Sequence, residues 1–346
     1  MISFEDFCTE VKEHIREYMP EEYQQAKLIM EKVVKKNDFV RTGLALQLPG
    51  SKASPVIYLN DYYRKGMDQP EMESKIEKMA ETYQQYVEEF PVRSIPDFQK
   101  FSSIKDYISY QLVNRQRNIL KLSDAPYRRL DDMAVAYEID LTKSGLPGSV
   151  LVDESMLQMW DISEEQLEQT AAENAKRDFR PLLKPLHMVI SEMLSGRKTD
   201  VNFLKAKSDF EDNQYLLSNE ELTCGAAVML MPDVLKRVRD VLGTDFYLLP
   251  SSIHETIVIP KPTEVEISPK ELKDMLKEVN DTECAPEDIL SYSVYEYRER
   301  EGRLRRAGRE EKERGEYRRG HGTRQSFSGG PRTRRRSLTG ASDEAA

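Results

Sequence analysis

The stretch from Gly225 to Pro260 reads GAAVMLMPDVLKRVRDVLGTDFYLLPSSIHETIVIP, and it carries the signals that decide the fold. Residues 232–242 are predicted to be helical, because proline suits the first turn of a helix and Gly243 a C-terminal stop. The apolar run 245–249 predicts a buried strand, followed by a turn at 250–252 and a second strand over 253–259. This order of helix, strand, tight turn and strand indicates a sheet-forming core element.

The same patterns predict helices and strands throughout the chain on the N-terminal side of this stretch. Helices are expected over residues 3–18, 70–90, 101–121 and 163–177, the last from an S-E-E-Q capping box. Strands are expected over residues 26–34, 39–48, 55–59, 133–139, 149–152 and 214–218. The mixture predicts an α+β protein with a mixed or antiparallel sheet, packed helices and a disordered C-terminal tail.

Charge divides the chain into two parts. Residues 1–297 carry a net charge of −17, whereas residues 298–346 carry +7 and contain few aliphatic side chains. A segment that buries so little apolar area cannot offset its chain entropy. We therefore expect an α+β body over residues 1–297, with a sub-boundary near 91–100 or 180–213, and a disordered basic tail over residues 298–346.

The composition also narrows the class of protein. No run of about 18 apolar residues is present, so no membrane helix is expected. The three cysteines are widely spaced and the N-terminus does not resemble a secretory signal, which favours a cytoplasmic protein. The histidines lie apart, and neither a P-loop nor a G-x-G-x-x-G motif occurs. The sequence therefore predicts neither a metal nor a cofactor.

The turn after residue 249 holds the densest group of reactive side chains. A catalytic interpretation makes Ser252 or Cys224 the nucleophile, His254 the base and Glu255 an acid. A regular strand from residue 253 would separate Glu255 from His254 and place Ser252 about 6–7 Å from the imidazole. The alternative is structural: the serines hydrogen-bond the backbone of the turn, and His254 and Glu255 satisfy nearby polar groups.

The basic tail has two interpretations as well. Its arginine cluster, Arg332, Arg334, Arg335 and Arg336, would suit non-specific contact with nucleic-acid phosphates. The alternative is a solubilising extension, which the interspersed glutamates of its first half favour.

Several blocks of residues resemble an uncharacterised bacterial family, found mainly in gut clostridia and known only as a domain of unknown function. The most specific block is L-P-S-S-I-H-E at residues 249–255, and V-I-Y-L-N at 56–60, A-P-Y at 125–127 and W-D-I at 160–162 agree with it. The resemblance covers about residues 1–297 and leaves the tail outside. It implies no known activity and supplies no catalytic residues.

Three functions follow as hypotheses. The first is a binding or interaction protein without catalysis. The second is a hydrolase-like enzyme that uses Ser252, His254 and Glu255, with Cys224 as a further candidate. The third is a nucleic-acid-associated accessory protein that acts through its tail.

Overall fold

A computed structural model describes residues 2–49, 54–89, 96–205, 212–261 and 267–308. Within these ranges the chain forms three antiparallel sheets with helices packed against them, which confirms the predicted α+β class. None of the helices in these ranges is long and apolar enough to span a membrane.

The N-terminal unit consists of a three-stranded sheet and two helices around a core of its own. Its elements are α1 (Phe4–His14), β1 (Lys27–Val34), β2 (Val40–Gln47), β3 (Ile57–Tyr58) and α2 (Gln69–Glu89). Phe7, Ile76 and Met79 are fully buried between the helices and the sheet. Strands β1 and β2 form a hairpin whose tip, residues 35–39, projects away from this core. Through Lys36, that tip contacts Cys224, one of the predicted site residues.

The second sheet has the strand order β4-β6-β5, with β7 also paired to β6. Its elements and neighbouring helices are α3 (Phe101–Ile104), β4 (Ile108–Asn114), β5 (Tyr127–Leu130), β6 (Met133–Asp140), β7 (Ser149–Leu151), α4 (Glu154–Trp160) and α5 (Glu164–Asp178). The capping box that was predicted at Ser163 is present at the start of α5. The predicted helix over residues 101–121 is wrong beyond Tyr107, where a short 3₁₀ turn ends and β4 begins. Every residue of β4 is buried, and its apolar–polar alternation covers only residues 108–112 before the apolar pair Leu112-Val113, so the strand signal in the sequence is short.

The third sheet has the order β13-β12-β10-β11-β9-β8. Its strands and helices are β8 (Pro181–Pro185), α6 (Leu186–Ser195), β9 (Tyr215–Asn219), α7 (Pro232–Leu242), β10 (Phe246–Leu249), β11 (Thr256–Pro260), α8 (Pro269–Thr282), β12 (Tyr295–Arg298) and β13 (Arg303–Arg306). One large core contains buried residues from both the second and the third sheet, and α8 covers part of a smaller core. Asp132 links the two sheets, because its carboxylate accepts hydrogen bonds from Ser291, Ser293 and Tyr295 at 2.6–2.8 Å.

The ordered body continues past residue 298, where the sequence predicted a disordered tail. Residues 295–298 and 303–306 pair as β12 and β13, and Arg305 Nε donates to the buried carboxylate of Glu296 at 2.6 Å. This strand is held by backbone pairing with β12, by ion pairs and by Leu304, its one apolar side chain, which packs against the main core. A single apolar residue among arginines gives no hydrophobic pattern, so the sequence did not reveal the strand. The rest of the predicted tail, including Arg332, Arg334, Arg335 and Arg336, lies outside the described residues. The division into a body and a tail, with its sub-boundaries, stays a prediction.

Candidate functional site

The turn between β10 and β11, residues 250–255, is here called the Ser252 turn. Strand β11 begins at Thr256, so the predicted strand start at residue 253 is wrong. The reason is contact with a distant segment: Ile253 N donates to Asp288 O at 2.9 Å, and Ser252 forms an isolated bridge with Ile289. The geometry inferred from a regular strand does not apply to residues 252–255.

Ser252 and Glu255 lie in direct contact. Ser252 Oγ donates to Glu255 Oε1 at 2.6 Å and accepts the backbone N–H of His254 at 3.0 Å. The serine hydroxyl therefore spans the turn, as the structural interpretation expected of it. Its proton is directed to a carboxylate and not to the imidazole.

The imidazole of His254 lies on the other side of the turn, beside Cys224 and Asp288. His254 Nδ1 accepts the backbone N–H of Cys224 at 3.3 Å, and Nε2 lies 3.5 Å from Asp288 Oδ1. All four candidate residues thus come together around the Ser252 turn. Neither the Ser252 hydroxyl nor the Cys224 thiol is hydrogen-bonded to the imidazole within the described residues, so the catalytic roles stay a prediction.

Cys224 adopts a left-handed backbone conformation, with φ at 50°. Such a conformation is uncommon for a residue with a Cβ, and outliers of this kind cluster at functional sites. Gly225 follows it, and a Cβ there would lie 2.5 Å from Asn219 N, so only glycine fits. Cys224 directs its backbone N–H to His254, and its thiol contacts Lys36 of the N-terminal unit.

The tip of the β1–β2 hairpin docks beside Cys224, and Asn37 Nδ2 donates to Pro286 O and Ile289 O. Asn37 N donates to Asn118 Oδ1 and Asn118 Nδ2 donates to Asn37 Oδ1, both at 2.8 Å. Asp38 accepts the backbone N–H groups of Leu120 and Lys121 at 2.9 and 3.0 Å. Asn37 and Asp38 have φ values of 52° and 53°, which these two residue types tolerate. These contacts fix the hairpin tip against the loop between β4 and β5.

This docking brings Lys36 to the thiol of Cys224, with Nζ 3.6 Å from Sγ. Burial raises the pKa of the Cys224 thiol, and the charge of Lys36 opposes that shift. The thiol is therefore kept protonated, with a cation beside it.

Three further polar side chains complete the group: Gln111 of β4, Lys121 and Glu138 of β6. Gln111 is 3% exposed; its Nε2 donates to Glu138 Oε2 at 2.7 Å, while its Oε1 is buried without a hydrogen-bond partner. Burial raises the pKa of Glu138, although a hydrogen bond from Ser149 opposes the rise. We call the group of Lys36, Gln111, Lys121, Glu138 and Cys224 the junction site, because the N-terminal unit contributes Lys36 and the second and third sheets, with their loops, contribute the other four residues.

Lys121 is the second cation of the junction site. Its amine has neither a hydrogen bond nor an ion pair to any described residue. Burial lowers the pKa of Lys121; Lys36 and Lys35 lower it further, and Glu138 and Cys224 act in the opposite direction. The site thus combines an unpaired amine, a carboxyl group with a raised pKa and a free amide oxygen.

Sequence reasoning identified Cys224 and missed the other four members of the junction site. Lys36 lay in a predicted turn, Lys121 in a predicted helix and Glu138 in a predicted strand, with nothing to connect them. The only local signal is the Asn37-Asp38 pair, which suits a left-handed turn. Across the parts of the chain that the structure describes, no group of three or more His, Cys, Asp or Glu side chains could hold a metal ion.

Comparison with known proteins supplies a family and no activity. The model of DUF5688, a family of unknown function, matches residues 4–299. No curated protein and no solved structure matches the chain.

Proposed function

This chain belongs to DUF5688, a family of unknown function, and we propose that it is a binding protein that holds a small polar ligand in the junction site. The carrying observation is the buried Oε1 of Gln111, which has no hydrogen-bond partner. Buried polar atoms are nearly always paired, and leaving one unpaired costs about 1–3 kcal/mol. A ligand that donates a hydrogen bond to this oxygen would recover that cost.

The amine of Lys121 supports the same proposal. A partly buried ammonium group without a partner is unfavourable, because burial penalises its charge. An acidic or polar group of a ligand would supply the missing partner. Two side chains of the junction site with unused bonding capacity, one acceptor and one donor, thus indicate the hydrogen-bonding groups that a ligand would carry.

The Ser252 turn lacks this property, which is why binding at the junction site is favoured over hydrolysis at the turn. The hydroxyl of Ser252 is engaged with Glu255 and with the backbone, and Nδ1 of His254 accepts from Cys224. The predicted mechanism needs the Ser252 proton directed toward the His254 imidazole, and that proton is directed to Glu255 instead.

Thermal unfolding of the full chain tests the proposal. The wild type and Lys121→Met are heated with a panel of millimolar probes: acetate, lactate, pyruvate, glyoxylate, glycine and inorganic phosphate. At least one probe should raise the Tm of the wild type and leave that of Lys121→Met unchanged, since a ligand stabilises only the state that binds it. A panel without effect on the wild type, or with equal effects on both proteins, would overturn the proposal.

A second candidate function is the hydrolase-like enzyme, favoured by the contact of Cys224, Ser252, His254 and Glu255 around one turn. Rearrangement of the Ser252 side chain toward His254 would be required before it could act. Hydrolysis of a p-nitrophenyl ester by the wild type, lost in both Ser252→Ala and His254→Ala, would support it. Equal rates in all three proteins would exclude it.

Two further proposals concern the setting of the protein. The three cysteines are all free, which supports a reducing compartment such as the bacterial cytoplasm, and the resemblance to gut clostridial proteins with the L-P-S-S-I-H-E block supports a bacterial source.

Contact of the tail arginines with nucleic acid stays a proposal. If it holds, removal of residues 309–346 should weaken binding to DNA and reduce the dependence of that binding on salt.

A further inference from the structure

We propose that the β12–β13 hairpin binds the phosphate backbone of nucleic acid on the face that carries Glu296. This hairpin, residues 295–306, is here called the arginine hairpin. Its surface is separate from the junction site, so the proposal stands whether or not a ligand binds there. It adds an ordered surface to the nucleic-acid contact proposed for the tail, which follows β13 along the chain.

The pairing of the two strands places several charged side chains on one face of the arginine hairpin. Glu296 and Arg298 lie two positions apart on β12 and therefore share a face. Their partners across the ladder are Arg305 and Arg303 of β13. Because β13 is the last strand of its sheet, no further strand covers the outer side of this group. The other face packs into the main core through its apolar side chains, Tyr295, Tyr297 and Leu304.

Positive charge exceeds negative charge on the face that carries Glu296. The carboxylate of Glu296 is 3% exposed and accepts from Arg305 Nε at 2.6 Å and from Arg298 Nε at 3.2 Å. The amine of Lys261 is its third cationic partner. One carboxylate cannot neutralise three cations. Residues 298–308 together contain five arginines and two glutamates, a net charge of +3. This excess favours the binding of an anion.

The pair of Arg298 and Arg303 points most directly to an anionic ligand. The two residues lie opposite each other in the β12–β13 ladder, where like charges destabilise a sheet. The side chain of Arg298 is 43% exposed and donates to Glu296 through Nε. The exposed side chain of Arg303 forms neither a hydrogen bond nor an ion pair with any described residue. Both guanidinium groups can therefore donate to one phosphate group, which would offset their repulsion.

A polymer of phosphates fits this surface better than a single small anion. The two arginines are exposed, and water and salt screen an exposed charge pair so strongly that one small anion binds weakly. A nucleic acid offers many phosphates and releases its condensed counterions on binding. Residues 1–297 carry a net charge of −17, so a nucleic acid is repelled by most of the protein and attracted to the arginine hairpin. Contacts to phosphates carry no sequence information, so we expect binding that is independent of base sequence.

Fluorescence anisotropy on the full chain tests the proposal. Binding of a labelled single-stranded DNA of mixed sequence is measured between roughly 50 and 200 mM salt for the wild type and for Arg298→Gln/Arg303→Gln. At the lower salt concentration the double variant should bind about tenfold more weakly. The slope of log K against log salt should become shallower by about 1.4, because each phosphate contact on a single strand contributes about 0.7. Circular dichroism confirms that the variant is folded. Arg303→Gln alone, which breaks no internal contact of that side chain, should give about half of the change in slope.

The matched control removes the same charge at the other edge of the sheet. Arg197 and Lys198 are exposed near β8, the strand at the opposite end from β13. Arg197→Gln/Lys198→Gln should leave the affinity and the slope unchanged. Equal weakening in the control and in the hairpin variant would show that only net charge matters, and would overturn the proposal. Failure of the wild type to bind DNA, or equally tight binding of poly-glutamate, would overturn it as well.

A tail variant separates this proposal from the one made for the tail. Arg334→Gln/Arg335→Gln is measured in the full chain under the same conditions. If the tail variant weakens DNA binding and the hairpin variant does not, the tail proposal stands and the arginine hairpin is refuted as a binding surface. Weakening by the hairpin variant alone supports the arginine hairpin and refutes the tail.

Discussion

The Ser252 turn and the junction site meet at Cys224, whose backbone N–H contacts the first and whose thiol contacts the second, and they use their polar groups in opposite ways. In the turn, Ser252, Glu255 and His254 bond one another or the backbone of Cys224. In the junction site, Gln111 Oε1 and the amine of Lys121 have no partner among the described residues. The proposed function therefore rests on unused bonding capacity that distant segments contribute, and not on a local concentration of reactive residue types.

This difference has a consequence for stability. Removing a side chain that is fully hydrogen-bonded leaves its partners unsatisfied and destabilises the protein. Removing a polar side chain that is buried without a partner relieves the free-energy cost of burying it. Binding sites often carry such destabilising groups because the ligand needs them. Substitutions in the two regions should change the free energy of unfolding with opposite signs.

The largest effect is expected at Asn118, which holds the hairpin tip in place. Its side chain is fully buried and bonds Asn37 twice and the carbonyl oxygen of Asn114 once, at 2.7–2.8 Å. Asn118→Ala should lower the free energy of unfolding by about 3 kcal/mol, because it leaves buried backbone and amide groups unpaired. Urea denaturation measures the change. The exposed Asn213→Ala is the control and should change it little; equal effects of the two substitutions would show that the tip is not held at Asn118.

A smaller loss is expected in the Ser252 turn. Ser252→Ala removes the hydrogen bond to Glu255 and the acceptor for His254 N, and should destabilise the protein by about 1–2 kcal/mol. The same denaturation experiment on the exposed Ser102→Ala provides the baseline. An unchanged stability of Ser252→Ala would mean that its hydroxyl is not structural, and would favour the hydrolase hypothesis.

Substitution of Lys121 is expected to raise the free energy of unfolding, the opposite of the change expected at Ser252. Lys121→Met should raise the free energy of unfolding at neutral pH by about 1 kcal/mol, because it removes a partly buried charge without a partner. The pKa of Lys121 is lowered on folding, so the advantage of the variant is full below the folded pKa. It shrinks as the pH rises from the folded pKa toward the ordinary value of 10.5, because the unfolded state then binds more protons than the folded state. Denaturation from pH 6 to pH 10 checks this.

The exposed Lys12→Met serves as the control for Lys121 and should show no such dependence on pH. A Lys121→Met protein that is less stable than the wild type at every pH would mean that the amine makes a stabilising contact. The proposed distinction between the two regions would then fail.

The smallest effect on stability is expected for substitution of Lys36. This prediction is checked through the reactivity of the Cys224 thiol. The positive charge of Lys36 lowers the pKa of Cys224, in opposition to burial, so Lys36→Met should leave less thiolate at a given pH. Alkylation of Cys224 by iodoacetamide at pH 8, followed by peptide mapping, should slow about threefold, with stability changed by about 0.5 kcal/mol or less. Alkylation that is as fast as in the exposed Lys32→Met variant would place the cation away from the thiol.

Local signals in the sequence predicted most of the fold. The capping boxes at Ser163 and Ser268, and the proline and glycine that bound α7, mark helix ends through contacts within a few residues. Where those signals were missing, the predictions failed. The apolar–polar alternation of β4 spans only residues 108–112, and β13 has one apolar side chain, Leu304, among arginines that pair with residues such as Glu296.

The junction site could not be predicted by the same means. It forms because Asn37 and Asn118, which are 81 positions apart in the chain, exchange hydrogen bonds through their side chains. Two asparagines in separate loops carry no mark of such pairing in a single sequence. Cys224 was found only because it lies next to the small-residue stretch that begins at Gly225, and its left-handed backbone is a consequence of tertiary packing.

The most direct test of the account compares thermal unfolding of the wild type, Lys121→Met and Ser252→Ala, each with and without the probe that stabilises the wild type most. The account predicts that Ser252→Ala starts from a lower Tm and keeps the full ligand-induced rise, whereas Lys121→Met starts from a higher Tm and loses it. The reverse pattern, with the rise kept in Lys121→Met and lost in Ser252→Ala, would contradict the account and return the site to the Ser252 turn.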